Sequence, residues 1–356
     1  MVVEQMGYKG MVKGEAVGAI RLTEPVIDSV EAEAVQKVLE SGWLVEGEVT
    51  KQFEEKVAKY VGAKYAVATC NCTVALELCL MAQDIKGEVI IPDFTHPATI
   101  QAVINAGATP VLFDVDLNSY NISLDLVYTG AKAVIPISWA GNPLWAYPYA
   151  NITIEDAACS LGSQFDFHKT GSQVTTCFSF HPRKLITTGE GGMVTTNDED
   201  LASKIRDLKN FGVGGGNYKL NDVSSAIGLA QMDKIDRIIN RRIEMAKVYD
   251  ELIGSNPLIK IPQKHPLAKH TYQTYAVYLT TSNRDDVIKR LGEKGIETQV
   301  GSYALHLLPP YQNVKRIGVL ENSELLHHHL LTLPLSYSMT EEDQKRVVDE
   351  LKNAVA

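Results

Sequence analysis

One lysine of this chain stands where a charged surface residue is not expected. Lys184 lies within SFHPRKLITTGEGG, residues 179–192, after an aromatic-rich run and before a glycine-rich turn. Buried lysines are rare unless they are paired or reactive, and burial lowers the pKa of the amine. A neutral amine can condense with a carbonyl group. The stretch therefore predicts a buried, reactive Lys184, with Ser179 at the end of the strand before it.

Two further groups of polar residues follow predicted strands. Asn71-Cys72-Thr73 comes after KYAVATC and begins a helix. Free N–H groups and the helix dipole favour a phosphate there, and the other reading is an ordinary helix cap. Glu155-Asp156 follows NITI, where a carboxylate either holds a cation or caps the next turn. Ligands of open α/β sheets bind at the carboxyl ends of the strands, so these groups should meet at one edge.

A phosphate site, a carboxylate and a reactive lysine at one edge are the set that pyridoxal 5'-phosphate (PLP) requires. Cys72 and Thr73 would anchor the phosphate, and Lys184 would condense with the aldehyde. Asp156 would pair with the protonated pyridine nitrogen, which keeps the ring electron-withdrawing. The combination predicts PLP-dependent chemistry.

The elements that must position these residues alternate between strands and helices. Short apolar runs predict strands at 64–70, 88–92, 109–116, 132–138 and 151–156, and helical patterns cover 71–83 and 95–108. Two helices come first, at 28–41 and 50–62; Val30, Ala34, Val35 and Val38 share one face of the former. This alternation is typical of a parallel sheet with right-handed crossovers.

The second half of the chain changes its pattern after Asn256-Pro257. Residues 164–180 predict a hairpin around 169–172, and helices are expected at 199–210 and at 222–252, the latter with a bend or surface stretch at Arg241-Arg242. Later segments predict a strand at 271–280 and helices at 283–295 and 341–355. We expect an N-terminal extension at 1–21, a large PLP-binding α/β domain at 22–240 and a small C-terminal α+β domain at 241–356.

Composition narrows the class of protein. The 356 residues are 45% hydrophobic and 22% charged, and a net charge of -9 argues against a nucleic-acid or anionic-membrane partner. We find neither an apolar run that could span a bilayer nor a secretion signal. The five cysteines predict reduced thiols in the cytoplasm and, lacking a metal-ligand spacing, no metal site.

The ordered motifs together resemble those of one family. They are SGWLVEG at 41–47, NCTVAL at 71–76, EVIIPDFTHPAT at 88–99, AGATPVLFDVD at 106–116, IEDAACSLGS at 154–163, SFHPRKLITTGEGG at 179–192, GNYKLNDVSSAIGLAQMDKID at 216–236, GIET at 295–298 and LTLPLS at 331–336. From about residue 20 onward the chain is similar to the DegT/DnrJ/EryC1/StrS sugar aminotransferases. The resemblance implies the fold of the fold-type I PLP transferases: a mostly parallel central sheet with helices on both faces and a smaller C-terminal α+β domain.

The resemblance also implies roles for individual residues. Lys184 would form the internal aldimine and move the proton between cofactor and substrate, with Asp156 as the pyridinium partner. Cys72, Thr73 and Ser179 occupy the phosphate-binding positions.

Further roles concern the partner subunit, the cofactor ring and the substrate. Asn217 matches an asparagine that reaches the phosphate from the neighbouring subunit, which implies a homodimer with shared active sites; the other reading is a turn residue. Cys159 and His96 stand where the family usually has glutamine or histidine and an aromatic ring against the cofactor. Arg183, Tyr303 and His306 are candidates for contact with substrate.

The expected activity is transfer of an amino group from L-glutamate to a nucleotide-linked keto-deoxyhexose by a ping-pong mechanism. Two alternatives stay open, an inosose-type cyclitol acceptor and a non-catalytic PLP-binding regulatory relative. Deoxysugar dehydratases of the family replace the lysine with histidine, so the presence of Lys184 argues against them. A nicotinamide oxidoreductase is also disfavoured, because Gly214-Gly215-Gly216 lacks the preceding strand and the spacing of a dinucleotide fingerprint.

Overall fold

The computed structural model describes residues 18–123, 130–147, 152–280 and 283–356. Most of the expected N-terminal extension and the first residue of the predicted strand 151–156 therefore lie outside the described residues. Within them, no helix combines the length and apolar character needed to cross a bilayer.

The described helices are α1 Ser29–Ser41, α2 Glu48–Val61, α3 Cys72–Ala82, α4 Pro97–Asn105, α5 Glu199–Lys209, α6 Asp222–Met232, α7 Ile235–Ile253, α8 Arg284–Glu293, α9 Glu321–His329 and α10 Glu341–Val355. The strands of the first half are β1 Tyr65–Thr69, β2 Glu88–Pro92, β3 Phe94–Thr95, β4 Thr109–Phe113, β5 Ala133–Val134, β6 Ile154–Asp156, β7 Gln164–Phe165, β8 His168–Lys169, β9 Thr175–Ser179 and β10 Gly192–Thr196. Those of the second half are β11 Ile259–Lys260, β12 Ala268–Lys269, β13 Tyr275–Leu279, β14 Gln299–Val300, β15 Tyr303–Ala304, β16 Lys315–Arg316 and β17 Leu330–Leu333.

The central sheet is built from two strand groups, β1-β10-β9-β6 and β16-β4-β2-β5. Single parallel bridges between Val134 and Thr153 and between Ile137 and Asp156 join them side by side. Only β10 runs antiparallel to its neighbours in this sheet. The prediction of a mostly parallel sheet is confirmed.

Helices cover both faces of this sheet, as predicted. One buried core joins the strands to the apolar sides of α3, α4 and α5. A second core on the other face includes Phe53 and Val57 of α2, Met232 of α6 and Ile238 of α7. A strand with both faces covered must be apolar along its length, which is why EVIIP reads as a continuous apolar run.

The C-terminal part forms a separate, antiparallel sheet in the order β11-β13-β17-β14. It packs on the second half of α7 and on α8 and α10 through its own buried core. Ile20, near the start of the described chain, pairs with Ile296 and belongs to the same core.

The prediction of one long helix bent at Arg241-Arg242 was wrong. The helix breaks at Asp233 and Lys234, where α6 ends and α7 begins. Lys234 is buried and its ammonium contacts carboxylates of Asp28 and Glu31, so this turn is tied to α1. Arg242 is buried inside an uninterrupted α7 and donates to the carbonyl oxygens of Tyr272 and Gln273.

The position predicted for the hairpin was also wrong. The hairpin in 164–180 turns at Asp166 and Phe167, between β7 and β8, and not at 169–172; β9 instead joins the central sheet.

Of the four residues predicted to share one face of α1, Val30 is 47% exposed. The buried positions of α1 are Glu31, whose carboxylate accepts from Gln231 and Lys234, and Val38.

Two short strands after residue 300 return to the large domain. β15 pairs antiparallel with β3, and β16 extends the central sheet by pairing parallel with β4. Residues beyond the expected boundary at 241 thus contribute to both sheets. The domain boundary between residues 240 and 241 stays a prediction.

Candidate active site

A cavity of about 340 Å³ opens at the carboxyl ends of β2, β6 and β9. Both sheets contribute to its walls. The lining includes the sequence-predicted residues Cys72, Thr73, His96, Asp156, Cys159, Ser179, Arg183, Lys184 and Tyr303. The structure thus brings together nine residues that span more than half of the chain.

Lys184 reaches the cavity from the turn between β9 and β10. Its N–H donates to the carbonyl of His181 at 2.8 Å, and the Thr188 N–H donates to the carbonyl of Phe180 at 3.0 Å, which folds the segment into a compact turn. The ammonium nitrogen Nζ lies 3.1 Å from Sγ of Cys159. Lys184 is partly rather than fully buried, because its side chain faces the cavity.

The electrostatic environment of Lys184 differs from the sequence prediction. Burial by itself lowers the pKa of the amine, but Cys159, Cys72 and Asp156 raise it, and the net pKa is raised. The expectation of a lowered pKa was wrong for the chain by itself, because sequence reasoning counted burial and could not count these neighbours.

Asp156 ends β6 and is fixed from two sides. Its Oδ2 accepts from the hydroxyl of Thr99 at 2.8 Å, and its Oδ1 accepts from the N–H of Ala158 at 3.1 Å. Burial raises the pKa of this carboxyl, while the Thr99 and Ala158 hydrogen bonds and the charge of Lys184 lower it. A buried carboxylate of this kind favours a cationic partner in the cavity.

The neighbouring Glu155 points to the other side of the strand and is fully buried. The hydroxyl of Ser138 donates to it, as do those of Tyr147 at 3.0 Å and Thr176 at 3.4 Å. Burial raises the pKa of Glu155 to about 7. Of the two adjacent carboxylates, Asp156 is the one that lines the cavity.

The phosphate site predicted at residues 71–73 has the expected local geometry. Asn71 caps α3, its side chain accepting from the N–H of Val74 at 2.9 Å. The amides of Cys72 and Thr73 precede the first N–H that bonds within the helix, and both residues line the cavity. Ser179, at the end of β9, also lines the cavity, next to Gly192 on β10.

Gly192 allows this close approach of a strand to a helix start. A Cβ at this position would lie 2.4 Å from the backbone carbon of Asn71 and 2.6 Å from the amide nitrogen of Cys72. Such distances do not occur between real atoms, so a larger residue would push the helix start away. Glycine at position 192 therefore allows the start of α3 to lie directly against β10.

This donor set fits PLP. Helix N-terminal amides and the Ser179 hydroxyl suit a phosphate. The buried Asp156 suits a protonated pyridine nitrogen, and Lys184 supplies the amine. Burial raises the pKa of the Cys72 thiol well above its ordinary value, so Cys72 adds no negative charge beside a phosphate.

His96 lies at the start of α4, at the exposed side of the cavity. Its Nδ1 accepts from the N–H of Ala98 at 3.2 Å. Its ring centre is 6.4 Å from that of Tyr303, in an edge-on arrangement. Loss of water around the ring nitrogens and the positive charges of Lys184, His181 and Arg183 lower the pKa of His96 to about 4, which favours a neutral ring that can stack.

Arg183 connects the large domain to the C-terminal sheet. Its Nη1 donates to Oε1 of Gln299 at 2.9 Å, and its carbonyl accepts from the side chain of Gln273 at 2.7 Å. The residue directly before Lys184 is thus held by two side chains from the C-terminal part of the chain.

Two predicted site residues do not line the cavity. His306 is buried between Asp93 and Glu324, with ring nitrogens 2.7 Å and 3.0 Å from their carboxylate oxygens. Asn217 is exposed and its backbone pairs with Asn210 in the loop after α5. Its predicted role from a neighbouring subunit stays a prediction.

Sequence reasoning missed three residues that shape the site: Thr99, Gln273 and Gln299. Thr99 carries no local signal, because its role depends on α4 meeting the end of β6. The two glutamines come from the C-terminal part, and their partner is Arg183. No spacing in the sequence connects residues so far apart.

The five cysteines are free, and Sγ of Cys79 and Sγ of Cys177 lie 3.7 Å apart in the core. In the part of the chain that the structure describes, no group of three or more His, Cys, Asp or Glu side chains is placed to hold a metal ion.

Comparison with known proteins gives a consistent result. The sequence profile of the DegT/DnrJ/EryC1/StrS aminotransferase family matches residues 25–352. The chain is 33% identical to GDP-perosamine synthase of Caulobacter vibrioides, over 93% of this chain and 97% of that protein.

Solved structures agree with this result. The structure of DesI in the presence of its TDP-sugar product has a TM-score of 0.88 at 30% identity, covering 95% of this chain and 93% of that one. Spr1654 of Streptococcus pneumoniae in its PLP-form has a TM-score of 0.87 at 24% identity, covering 95% and 98%, which supports the fold alone.

Proposed function

The chain belongs to the DegT/DnrJ/EryC1/StrS aminotransferase family, a family of PLP-dependent sugar aminotransferases, and on this premise we propose its substrates. The amino donor is L-glutamate, and the acceptor is a nucleotide-linked keto-deoxyhexose. The names of two similar proteins include nucleotide-linked sugars, a GDP-perosamine synthase and DesI with its TDP-sugar product, which supports an acceptor of this class.

One observation carries the proposal: Lys184, Asp156 and the start of α3 line the same cavity. When bound there, PLP supplies an electron sink for the bond changes at the substrate carbon. Cys72, Thr73 and Ser179 would hold its phosphate, and Asp156 its ring nitrogen. His96 would lie against the ring, and Cys159 beside Lys184.

Lys184 has two tasks in this proposal. Its amine holds the cofactor covalently before substrate arrives, and Nζ then carries a proton to and from the substrate carbon. For the first task the amine of Lys184 must lose its proton against the raised pKa, and its contact with Sγ of Cys159 would give way to the aldehyde of the cofactor. Asp156 keeps its hydrogen bonds to Thr99 and Ala158 throughout.

Donor and acceptor would use this cavity in turn, which is the structural basis of a ping-pong mechanism. Arg183 and Tyr303 lie where either substrate would pass. A guanidinium suits the carboxylate of the donor or a phosphate of the acceptor. His306 is not part of this contact set.

We also propose a homodimer with shared sites, which the exposed surface and the predicted role of Asn217 support. Large apolar side chains are exposed on α1 and in the segments directly before and after it: Ile27, Val30, Leu39, Trp43, Leu44 and Val45. Phe211 and Val213, in the loop before Asn217, are exposed as well. Clustered exposed apolar residues mark interaction sites, and a second copy of this chain is the proposed occupant. A cytoplasmic location, expected from the thiols, stays a prediction.

The deciding experiment is the visible spectrum of the purified protein with PLP. We expect a band from lysine-bound cofactor that L-glutamate converts to the amine form. Lys184→Ala should lack the band, whereas Lys51→Ala, which changes an exposed lysine of α2, should keep it. Without the band in the wild-type protein, the proposed chemistry is wrong.

The acceptor is then tested with the amine form of the enzyme. GDP-linked and TDP-linked 4-keto-6-deoxyhexoses should restore the original band. If inososes restore it and the nucleotide sugars do not, the cyclitol alternative replaces the proposal. Binding of PLP with no conversion by any amino acid would favour the regulatory alternative.

A further inference from the structure

The segment that carries Tyr303 is attached to the large domain at one buried carboxylate. Asp93 follows β2 and is 0% exposed. Its carbonyl accepts from the N–H of Leu305 at 2.9 Å, and its Oδ1 accepts from the N–H of His306 at 2.9 Å. Two successive amides of the segment therefore bind one residue of the sheet.

The side chain of His306 completes the attachment. Its Nδ1 lies 2.7 Å from Oδ2 of Asp93, and its Nε2 lies 3.0 Å from Oε1 of Glu324 on α9. Each ring nitrogen thus faces a carboxylate oxygen, and the tautomer of the ring decides which of the two contacts its N–H serves. The two contacts differ in environment, because Asp93 is buried whereas the Glu324 side chain is 52% exposed. The Asp93 contact is therefore the stronger candidate for holding the segment.

The buried carboxylate of Asp93 depends on His306 as its hydrogen-bonding partner. Burial raises the pKa of its carboxyl, while the hydrogen bonds and charge of His306 lower it. A buried carboxylate left without its donor is strongly unfavourable. The segment is thus fixed at one position along the end of β2.

The attachment leads directly to the cavity. Tyr303 pairs with Thr95 across β15 and β3, and both line the cavity. The hydroxyl oxygens of Thr95 and Thr99 lie 3.3 Å apart, and the Thr99 hydroxyl in turn donates to Asp156. Tyr303 therefore stands on a short chain of contacts that begins at Asp93 and ends at the carboxylate of the site.

We propose that His306 is a positioning residue: by locking β15 onto Asp93 it holds Tyr303 in the cavity wall that receives the sugar acceptor. The inference rests on the proposed function. The acceptor, a nucleotide-linked hexose, is larger than a five-carbon amino acid and must use more of this wall. Loosening β15 therefore weakens acceptor binding and leaves donor binding nearly unchanged.

Two variants of similar size separate the two contacts of the imidazole. The amide nitrogen of His306→Asn falls near the place of Nδ1 and keeps a donor to Asp93. That of His306→Gln reaches toward the place of Nε2 and keeps a donor to Glu324. His306→Ala removes both contacts of the ring, and Glu324→Gln removes only the charge of the exposed carboxylate.

The first measurement is hydrogen exchange of the protein without substrate. In His306→Ala and His306→Gln, the amides of Leu305 and His306 should exchange about tenfold faster or more, while those of Val67 and Val194 in β1 and β10 keep their protection. His306→Asn and Glu324→Gln should stay close to the wild-type protein. Unchanged exchange in His306→Ala would refute the attachment.

The second measurement compares the two half-reactions of the PLP-loaded enzyme, with L-glutamate as donor and GDP-4-keto-6-deoxymannose and TDP-4-keto-6-deoxyglucose as acceptors. For His306→Ala and His306→Gln we expect the acceptor KM to rise about tenfold or more, with the donor KM and donor kcat within about twofold of wild type. His306→Asn should recover most of the loss.

The outcomes separate the two proposals. Equal losses in both half-reactions, or an unchanged acceptor KM, would overturn the positioning role even though the wild-type enzyme is active. If the wild-type enzyme aminates neither of the two sugars, the proposed acceptor class is wrong. The hydrogen-exchange measurement then still decides whether His306 locks the segment onto Asp93.

Discussion

Lys184 and Asp156 are held by different kinds of partner, and this sets what each can do. Asp156 is fixed by a hydroxyl and a backbone amide, which stay in place whatever enters the cavity. Lys184 contacts Sγ of Cys159 at 3.1 Å, a neighbour that also raises the pKa of the amine. A ligand that reacts with the amine must displace this contact, whereas the partners of Asp156 lie behind the carboxylate in α4 and in the backbone after β6.

Alkylation of Cys159 should therefore prevent PLP binding. A carbamidomethyl group on Sγ, 3.1 Å from Nζ of Lys184, fills the space that the cofactor needs. Iodoacetamide-treated wild-type protein should lose the visible band, which is measured after reconstitution with PLP and mass-spectrometric mapping of the label. Cys72 is buried and should label slowly.

The matched control is Cys159→Ser treated in the same way. It keeps the other four cysteines and should retain the band after treatment. If the serine variant also loses the band, a different cysteine is responsible and the placement of Cys159 beside the cofactor is contradicted.

Glu155 gives the protein a pH-dependent stability. Its pKa is raised from 4.5 to about 7, so the folded state disfavours the charged form. The stabilisation is complete below the ordinary pKa and is lost as pH rises through about 7. Between pH 5 and pH 8 the wild-type protein should therefore lose up to about 3 kcal/mol of unfolding free energy relative to Glu155→Gln.

Denaturant unfolding at several pH values measures this difference. Glu33→Gln, a change at an exposed position of α1, is the control and should give a flat difference from wild type. A flat difference for Glu155→Gln as well would mean that Glu155 stays charged in the folded protein.

At the scale of elements, the start of α3 combines a structural and a binding task. Asn71 caps the helix, and the next two residues, Cys72 and Thr73, line the cavity with amides that lack an intrahelical partner. Asn71→Ala should lower the free energy of unfolding by about 1 kcal/mol, the usual value of a helix cap. It should also weaken PLP binding, because the amides lose their fixed direction.

The control for this prediction is Asp198→Ala, which removes the cap of α5, where the Asp198 side chain accepts from the N–H of Leu201. Its loss of stability should be similar, and its affinity for PLP should equal that of the wild-type protein. PLP titration followed by absorbance measures both variants. Equal affinities for Asn71→Ala and Asp198→Ala would mean that the α3 start does not hold the phosphate.

The α6–α7 break shows how an element boundary is decided from outside the element. Residues 222–252 have no proline, and the sequence pattern continues through Asp233 and Lys234. The turn is stabilised by contacts of the buried Lys234 with Asp28 and Glu31, which lie some two hundred residues earlier. The local sequence pattern therefore predicted the helices on both sides correctly, but it did not predict the break between them.

At the scale of the whole molecule, the cavity lies where the central and the C-terminal sheets meet. Arg183 is held by Gln299 of the latter, and Tyr303 pairs with β3, the short strand that follows β2 of the former. The site is thus complete only when Gln299 and Tyr303, from the C-terminal part of the chain, have packed against the first half. The exposed apolar surface of α1 and the loop that follows, together with Asn217, suggests that a second chain completes it.

Complementation tests the shared site. Lys184→Ala and Asn217→Ala homodimers should each be inactive or nearly so. Mixed and reassembled, half of the dimers combine one subunit of each kind, and one of their two sites has both wild-type residues. Activity should therefore return to about a quarter of all sites. The measurement is the rate of the amino-transfer reaction after unfolding and refolding the mixture together.

A mixture of Lys184→Ala with wild-type protein calibrates the yield of reassembly. Sedimentation of each variant shows whether it is dimeric. If the mixture of the two variants stays as inactive as its parents while the calibration succeeds, Asn217 does not act across a subunit boundary.

The sequence by itself determined the parts of this protein that depend on neighbours in the chain. Apolar runs, helix caps and glycine stops have local physical causes, so they predicted the alternating strands and helices and the helix start at Cys72. They also predicted that Asp156 and Lys184 lie at the carboxyl edge of the sheet. The family resemblance supplied the cofactor and the fold, and both agree with the comparisons.

The tertiary structure alone decided the contacts that join distant segments. Thr99 meets Asp156 across 57 positions and Asp93 meets His306 across 213. The same holds for the raised pKa of Lys184, which depends on Cys159 and Cys72 arriving from other strands and helices. A local pattern records only which face of an element is apolar. Which polar groups meet at its end depends on how all elements pack, and this placed His306 in the core and Tyr303 at the cavity.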